Sequence, residues 1–212
     1  FRNLLISGEL SANYDMTETD WASLDWDMYD ALDNFVQSAY GGLNQAGAGY
    51  DRTRYTVGNV TASYDFTNLG EHKLKLLAGY SAEGNNYRNF SAYRRYGLIS
   101  PGLPTMSAGD AGEQYNGEVK NAYSLNSAYS RLEYSFRDKY LFEGIFRYDG
   151  SSKFAEGYKW SPFMGFSGGW IISGEPFWGG LENAVDFLKL RASWGQLGNQ
   201  SGIGLYDYLY QI

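Results

Sequence analysis

At 212 residues the chain has room for one large β domain, and 20 Tyr, 12 Phe, 6 Trp and 27 Gly against 4 Pro suit twisted strands and turns rather than packed helices. The absence of Cys excludes a disulfide framework and thiolate metal sites, and a formal charge of −7 argues against a nucleic-acid partner. Mean hydropathy is −0.45, and no stretch approaches the roughly 18 consecutive apolar residues of a membrane-spanning helix. Strands of a barrel escape that exclusion because only every second residue faces lipid. The chain starts at Phe1 with neither signal peptide nor initiating Met, so we read it as a mature or excised piece.

Alternation with period 2 is the main signal. Leu4–Tyr14 sets Leu4, Ile6, Gly8, Leu10, Ala12 and Tyr14 against Asn3, Ser7, Glu9, Ser11 and Asn13. The next segment, Asp20–Tyr40, predicts a helix: Thr19 or Asp20 as cap, Leu24, Met28, Leu32, Phe35 and Val36 on one face, Gly41-Gly42 as stop. Asn59–Phe66 then alternates Val60, Ala62, Tyr64 and Phe66 with Asn59, Thr61, Ser63 and Asp65. Lys73–Ala82 repeats the pattern with Leu74, Leu76, Ala78 and Tyr80, and a glycine-rich stretch with Pro101 and Pro104 follows, for which no regular structure is predicted.

Further along, Ala128–Phe136 places Leu132, Tyr134 and Phe136 opposite Arg131, Glu133 and Ser135. Tyr140–Tyr148 places Tyr140, Phe142, Gly144, Phe146 and Tyr148 opposite Glu143 and Arg147. Pro162–Ile172 is apolar on both faces, a strand of undefined register, and Leu188–Trp194 closes the series. The connections sort by length. Thr67–Glu71, Arg137–Lys139 and Gly174–Val185 are short or medium, while Asp15–Asp51, Glu83–Asn121 and Gly150–Trp160 are long. An up-and-down chain puts the short turns on one side and the long loops on the other, as outer-membrane barrels do.

The fold expectation is therefore all-β: an antiparallel transmembrane barrel segment of about seven strands with long extracellular loops and one short helix. Seven strands leave open edges, so 1–212 reads as part of a barrel domain. The even-numbered apolar set is unbroken across Arg137–Lys139, which predicts a three-residue hairpin loop. Tyr64, Phe66, Phe136, Tyr140 and Phe142 gather at the short-turn edge, as a lipid-facing interfacial girdle would.

Candidate chemistry is thin. Glu133 and Glu143 share a face and resemble a glycosidase carboxylate pair, but Arg131 and Arg147 share it too, and ion pairing in a polar lumen is the plainer reading. His72 stands beside a short turn with no triad partner. Asp25, Asp27, Asp30 and Asp33 offer oxygen ligands for calcium in an extracellular loop, without EF-hand spacing; a solvated acidic helix face is the plainer reading, and no other cofactor is expected. Gly47-x-Gly49 follows no buried parallel strand, which argues against a phosphate loop. Trp21, Trp26, Tyr29, Tyr50 and Tyr87 are candidates to contact substrate or a partner protein, with loop packing as the alternative.

Tyr129–Phe177, YSRLEYSFRDKYLFEGIFRYDGSSKFAEGYKWSPFMGFSGGWIISGEPF, and Leu188–Gln200, LKLRASWGQLGNQ, resemble the SusC/RagA family of TonB-dependent transporters. The match is close over the C-terminal two fifths and one of style before it. The resemblance implies a barrel of about 22 strands with a plugged lumen, in the outer membrane of a Gram-negative cell. It also implies import of a glycan or peptide, partnership with a SusD-like lid lipoprotein, and energy from the TonB complex, with no enzymatic activity. Neither a plug domain nor a TonB box is found in this stretch. A passive porin or structural barrel shares the alternation, and a soluble β-sandwich carbohydrate-binding module is the further alternative.

Overall fold

The computed structural model describes residues 3–24, 26–39, 44–67, 69–96, 102–181 and 184–209, the side chains of 26, 38 and 39 excepted. Its strands are β1 (Leu4–Ser23), β2 (Trp26–Tyr29), β3 (Phe35–Ala39), β4 (Gln45–Phe66), β5 (His72–Arg95), β6 (Gln114–Phe136), β7 (Tyr140–Ser151), β8 (Trp160–Ile171) and β9 (Lys189–Gly195). β1, β4, β5, β6, β7, β8 and β9 form one seven-stranded sheet in that order, and β2 pairs with β3. Each main strand thus lies beside its successor, an up-and-down meander, and the expected seven strands are all present.

Register explains why one parity carries the apolar residues. Tyr134 faces Phe142, Phe136 faces Tyr140 and Glu133 faces Glu143 across β6–β7. Phe146 faces Met164 and Tyr140 faces Trp170 across β7–β8, and Phe166 faces Trp194 across β8–β9. Every pair joins like parity, so even-numbered side chains of four strands share one face. The register of Pro162–Ile172 follows: Trp160, Met164, Phe166 and Trp170 join the aromatic face, and Ser161 and Ser167 the polar one. Phe136 pairs with Tyr140, leaving the three-residue loop that parity required. Arg137 and Asp138 take φ of +54° and +55° there. The Glu71 carboxylate accepts from Arg137 Nε at 2.7 Å, anchoring a residue type that rarely adopts that conformation.

Two expectations fail. The described residues of 20–40 form no helix: β1 runs on to Ser23, and β2 and β3 form a hairpin. Asp30 decides this, since its Oδ1 accepts from the backbone N–H groups of Leu32 and Asn34 at 2.8 and 2.9 Å, and Asp33 has φ +60°. Such local bonds hold the chain in a turn and compete with helix formation. The proposed stop, Gly41-Gly42, lies outside the described residues. The loops Asp15–Asp51 and Glu83–Asn121 are also largely strand, because β1, β4, β5 and β6 reach 20, 22, 24 and 23 residues. Where both faces of a strand are solvated the hydropathy contrast disappears although pairing continues, so alternation ends before the strand does.

Contact density divides the chain into two compact units, Phe1–Ala12 with Thr56–Gly84 and Tyr123–Ile212, and Asn13–Tyr55 with Asn85–Ala122. Buried hydrophobic residues among those described are Ala46 and Trp178. A β-sandwich needs two sheets enclosing a shared core, and among the described residues the main sheet encloses no such core. In the connection between β8 and β9, Glu175 accepts from Tyr140 Oη (2.7 Å), Trp170 Nε1 (3.1 Å) and Lys139 Nζ (3.2 Å). These donors, the Tyr140 hydroxyl foremost, hold its carboxyl below the usual range.

Candidate functional site

In the first unit the odd-numbered face collects charge. A shallow basin of about 570 Å³ is lined by Lys73, Lys75, Arg131, Lys189 and Arg191 against Asp65, Glu133 and Glu143. Arg131 Nη2 reaches Glu133 Oε1 at 2.9 Å and Glu143 Oε2 at 2.6 Å, and its Nε also donates to Glu143 at 3.1 Å. The two carboxylates face each other directly across β6–β7. One guanidinium therefore serves both, which makes the pair an ion-pair cluster rather than an acid and base held for hydrolysis. Arg147 stands apart. It pairs with Asp149 at 3.2 Å, donates to Ser127 at 3.3 Å and covers the Tyr129 ring at 5.8 Å.

The even-numbered face of that unit is aromatic at both ends of the strands. Near the short turns, His72 stacks on Phe136 at 4.7 Å and bonds Tyr134 Oη through Nδ1 at 2.7 Å. Tyr64 packs edge-on to Phe66 (4.8 Å), Phe136 stacks with Tyr140 (6.1 Å), and Phe142 stacks with Phe166 (6.4 Å). At the opposite ends Tyr148 stacks on Trp160 at 5.1 Å. A Cβ on Gly150 would lie 2.5 Å from that indole, so the glycine makes room for the ring. Trp160, expected at the end of a loop, instead opens β8 on the aromatic face.

In the second unit the odd-numbered face carries an aromatic row. Trp21 lies 5.5 Å from Tyr93, which stacks on Tyr115 at 5.0 Å. The Arg95 guanidinium covers both tyrosines, at 5.4 and 4.6 Å. Arg95 Nε is buried with no hydrogen-bond acceptor among the described residues. Gly47 underlies the row, since a Cβ there would meet the Trp21 ring at 2.5 Å. The Gly47-x-Gly49 pair is therefore a strand site for close packing. Tyr87, on the same parity, donates to Asp51, which also accepts from Asn89 at 3.1 Å. Tyr50 has the other parity and lies 5.8 Å from Phe90, while Tyr29 packs edge-on to Phe35 at 6.1 Å. The Trp26 side chain lies outside the described residues. Sequence reading omitted Tyr93, Arg95 and Tyr115, which continue the parity of Tyr87 once β5 and β6 are extended.

Bonding from Tyr87 and then Asn89 holds the Asp51 carboxyl below its usual value, and Asp51 in turn raises the Tyr87 hydroxyl. A depressed carboxyl stabilises the fold above its unfolded value of about 3.9 and ceases to do so as pH falls through the lower folded value. Protection of the amides over 45–55, corrected for intrinsic exchange, should accordingly hold from neutral pH down to the carboxylate range and fall below it. Tyr87→Phe brings the folded value toward the unfolded one, so it should lower protection at neutral pH and flatten its fall on acidification; unchanged protection would refute the assignment.

Of the four aspartates considered for calcium, Asp25 lies outside the described residues and Asp30 is engaged by Asn34 and Leu32. Among the described residues no group of three or more His, Asp or Glu is placed to hold a metal.

No protein-family profile matches the chain. TonB-dependent receptor P26 of Formosa agariphila is 38% identical over 167 residues, which covers 75% of this chain and 16% of the receptor. Receptor P39 of the same organism is 32% identical over 154 residues, 68% of this chain and 14% of its own length. SusC of Bacteroides thetaiotaomicron is 40% identical over 78 residues, 37% of this chain and 8% of that receptor. The chain belongs to the SusC/RagA family of TonB-dependent receptors. It spans about one sixth of the length of those relatives. The RagAB peptide importer in its open-open state shares the fold, with a TM-score of 0.81 over 98% of this chain and 22% of that one, at 22% identity. The meander is thus a segment of a TonB-dependent receptor barrel wall, and the relatives found are receptors and transporters rather than enzymes.

Proposed function

We propose that the receptor to which this wall belongs actively imports an oligomeric nutrient, a glycan or a peptide, across the outer membrane of a Gram-negative cell. A SusD-like surface lipoprotein would cover it outside, and the TonB complex would supply energy. The observation that carries the reading is a two-faced antiparallel sheet in a chain related to TonB-dependent receptors over two thirds or more of its length. In this arrangement the even-numbered face meets lipid, with Tyr64, Phe66, Phe136, Tyr140 and Phe142 at one interface. The odd-numbered face, with Arg131, Glu133, Glu143 and Arg147, lines the lumen. RagAB is a peptide importer, but its 22% identity carries fold and leaves the choice between peptide and glycan to experiment.

Substrate contact falls to Trp21, Tyr93 and Tyr115 with Arg95, joined by Tyr87. Flat rings stack on sugar or peptide planes. The test is uptake of labelled oligosaccharides and peptides by cells carrying the full-length receptor. Trp21→Ala with Tyr93→Ala should weaken apparent affinity about 10-fold or more, and loss of TonB should abolish uptake. Undiminished uptake without TonB would favour the passive porin.

A further inference from the structure

Four arginines of the second unit, Arg52, Arg54, Arg88 and Arg94, are even-numbered, and Arg94 donates to Gln114 at 3.3 Å. The Arg54 guanidinium lies 5.7 Å from the Tyr14 ring centroid. Those of Arg52 and Arg88 lie 5.9 and 5.6 Å from the Tyr50 ring. Arg88 shares Glu118 with Lys120, whose Nζ is 3.0 Å from that carboxylate. Among the described residues Arg52 and Arg54 are engaged with tyrosine rings rather than with a carboxylate. Glu118 thus neutralises part of the charge of Arg88 and Lys120, while Arg52 and Arg54 lie beside tyrosine rings.

Position along the strands gives this patch its meaning. The even-numbered residues of β4 that precede its short turn are Val60, Ala62, Tyr64 and Phe66. A tilted membrane strand takes about 9–11 residues to cross, so counting back from Phe66 ends the span near Thr56. Arg54 and Arg52 are the next side chains on that face. The same count on β1, from Leu4, arrives at Tyr14. Tyrosine is a residue of membrane interfaces, with an apolar body and a polar tip. A guanidinium held beside a ring keeps N–H donors available, in the fork geometry that suits phosphate oxygens.

We propose that Arg52 and Arg54 bind the phosphate groups of an anionic outer-leaflet glycolipid, with Tyr14 at headgroup depth. The inference rests on the outer-membrane reading above and adds a lipid site on the face opposite the substrate path. It is tested on the full-length receptor in detergent by native mass spectrometry, with lipid A bearing two phosphates, the same lipid dephosphorylated, and inorganic phosphate as probes. The wild type should retain the phosphorylated lipid selectively. Arg52→Gln with Arg54→Gln should bind it about 30-fold more weakly, the effect of two arginines at an anionic surface. Arg52→Lys with Arg54→Lys should keep part of the affinity, having charge without the fork.

Equal retention by wild type and the glutamine variant, or by the two lipid forms, would overturn the proposal. Inorganic phosphate binding as tightly as the lipid would overturn the lipid assignment. If the glutamine variant does not fold, the wild type decides alone: raising salt from about 0.05 to 0.5 M must release the lipid, and salt-independent retention refutes the site. Insertion into vesicles is scored separately. A receptor that fails to insert refutes the barrel reading itself, whereas one that inserts and imports yet ignores lipid phosphate refutes only this inference.

Discussion

Phe146→Arg is expected to destabilise the full-length receptor in vesicles by about 2–4 kcal/mol, the cost of an arginine on the lipid face at the bilayer midplane. Phe146 lies six residues along β7 from Tyr140, between Ser130 and Met164 on the neighbouring strands. At about 3.3 Å per residue and a tilt near 45°, that is roughly 14 Å of depth, close to the middle of an apolar band about 25 Å tall. Phe142 has the same parity but lies two residues from Tyr140, roughly 5 Å deep. Phe142→Arg should therefore cost less, nearer about 1 kcal/mol, because a long side chain snorkels to the interface. Arg147→Gln, one residue from Phe146 on the opposite face, should cost under about 1 kcal/mol, as exposed ion pairs do. Urea titration of the vesicle-inserted receptor measures all three. Equal costs at 146 and 147 would undo the face assignment, and equal costs at 146 and 142 would undo the depth.

Arg131→Met should cost about 1–2 kcal/mol by the same measurement. The substitution leaves Glu133 and Glu143 directly opposed with no shared cation, and like charges at paired positions repel. Breaking a fully buried pair would cost about 3–5 kcal/mol. The smaller figure applies because these side chains are 30 to 45% exposed, so solvent screens the repulsion. Adding Glu143→Gln should recover most of the loss, since one charge is then gone and its shape retained. A double variant no better than Arg131→Met alone would mean that Arg131 matters for packing rather than for neutralising the pair.

Why some elements were readable and others not follows from what each strand touches. Strand β7 alternates Tyr140, Phe142 and Phe146 with Glu143 and Arg147 because its two faces meet different surroundings, and that contrast is written into the residues. β1 past Tyr14 has no such contrast: Glu18 and Asp20 on one parity and Asp15, Thr17 and Thr19 on the other are all tolerated by water. Its strand persists through backbone bonding to β4, which a single strand cannot report. The spacing of Leu32, Phe35 and Val36 mimicked a helix because turn and strand residues fell by chance at helical intervals, while Asp30 fixed the turn.

The candidate site shows the same division. Glu133 and Glu143 could be placed on one face from numbering alone, but their neutralisation by a single guanidinium required the β6–β7 register. The Trp21–Tyr93–Tyr115 row joins residues from three strands and rests on Gly47, a meeting that no local pattern encodes. The sequence by itself determined the strand class, the parity of the apolar and polar sets, the three-residue turn at Arg137–Lys139 and the family resemblance, because alternation and turn chemistry act between near neighbours. Tertiary structure alone decided how far the strands run, which charges neutralise one another and which aromatics meet. Those outcomes depend on hydrogen bonds and side-chain contacts between residues tens of positions apart.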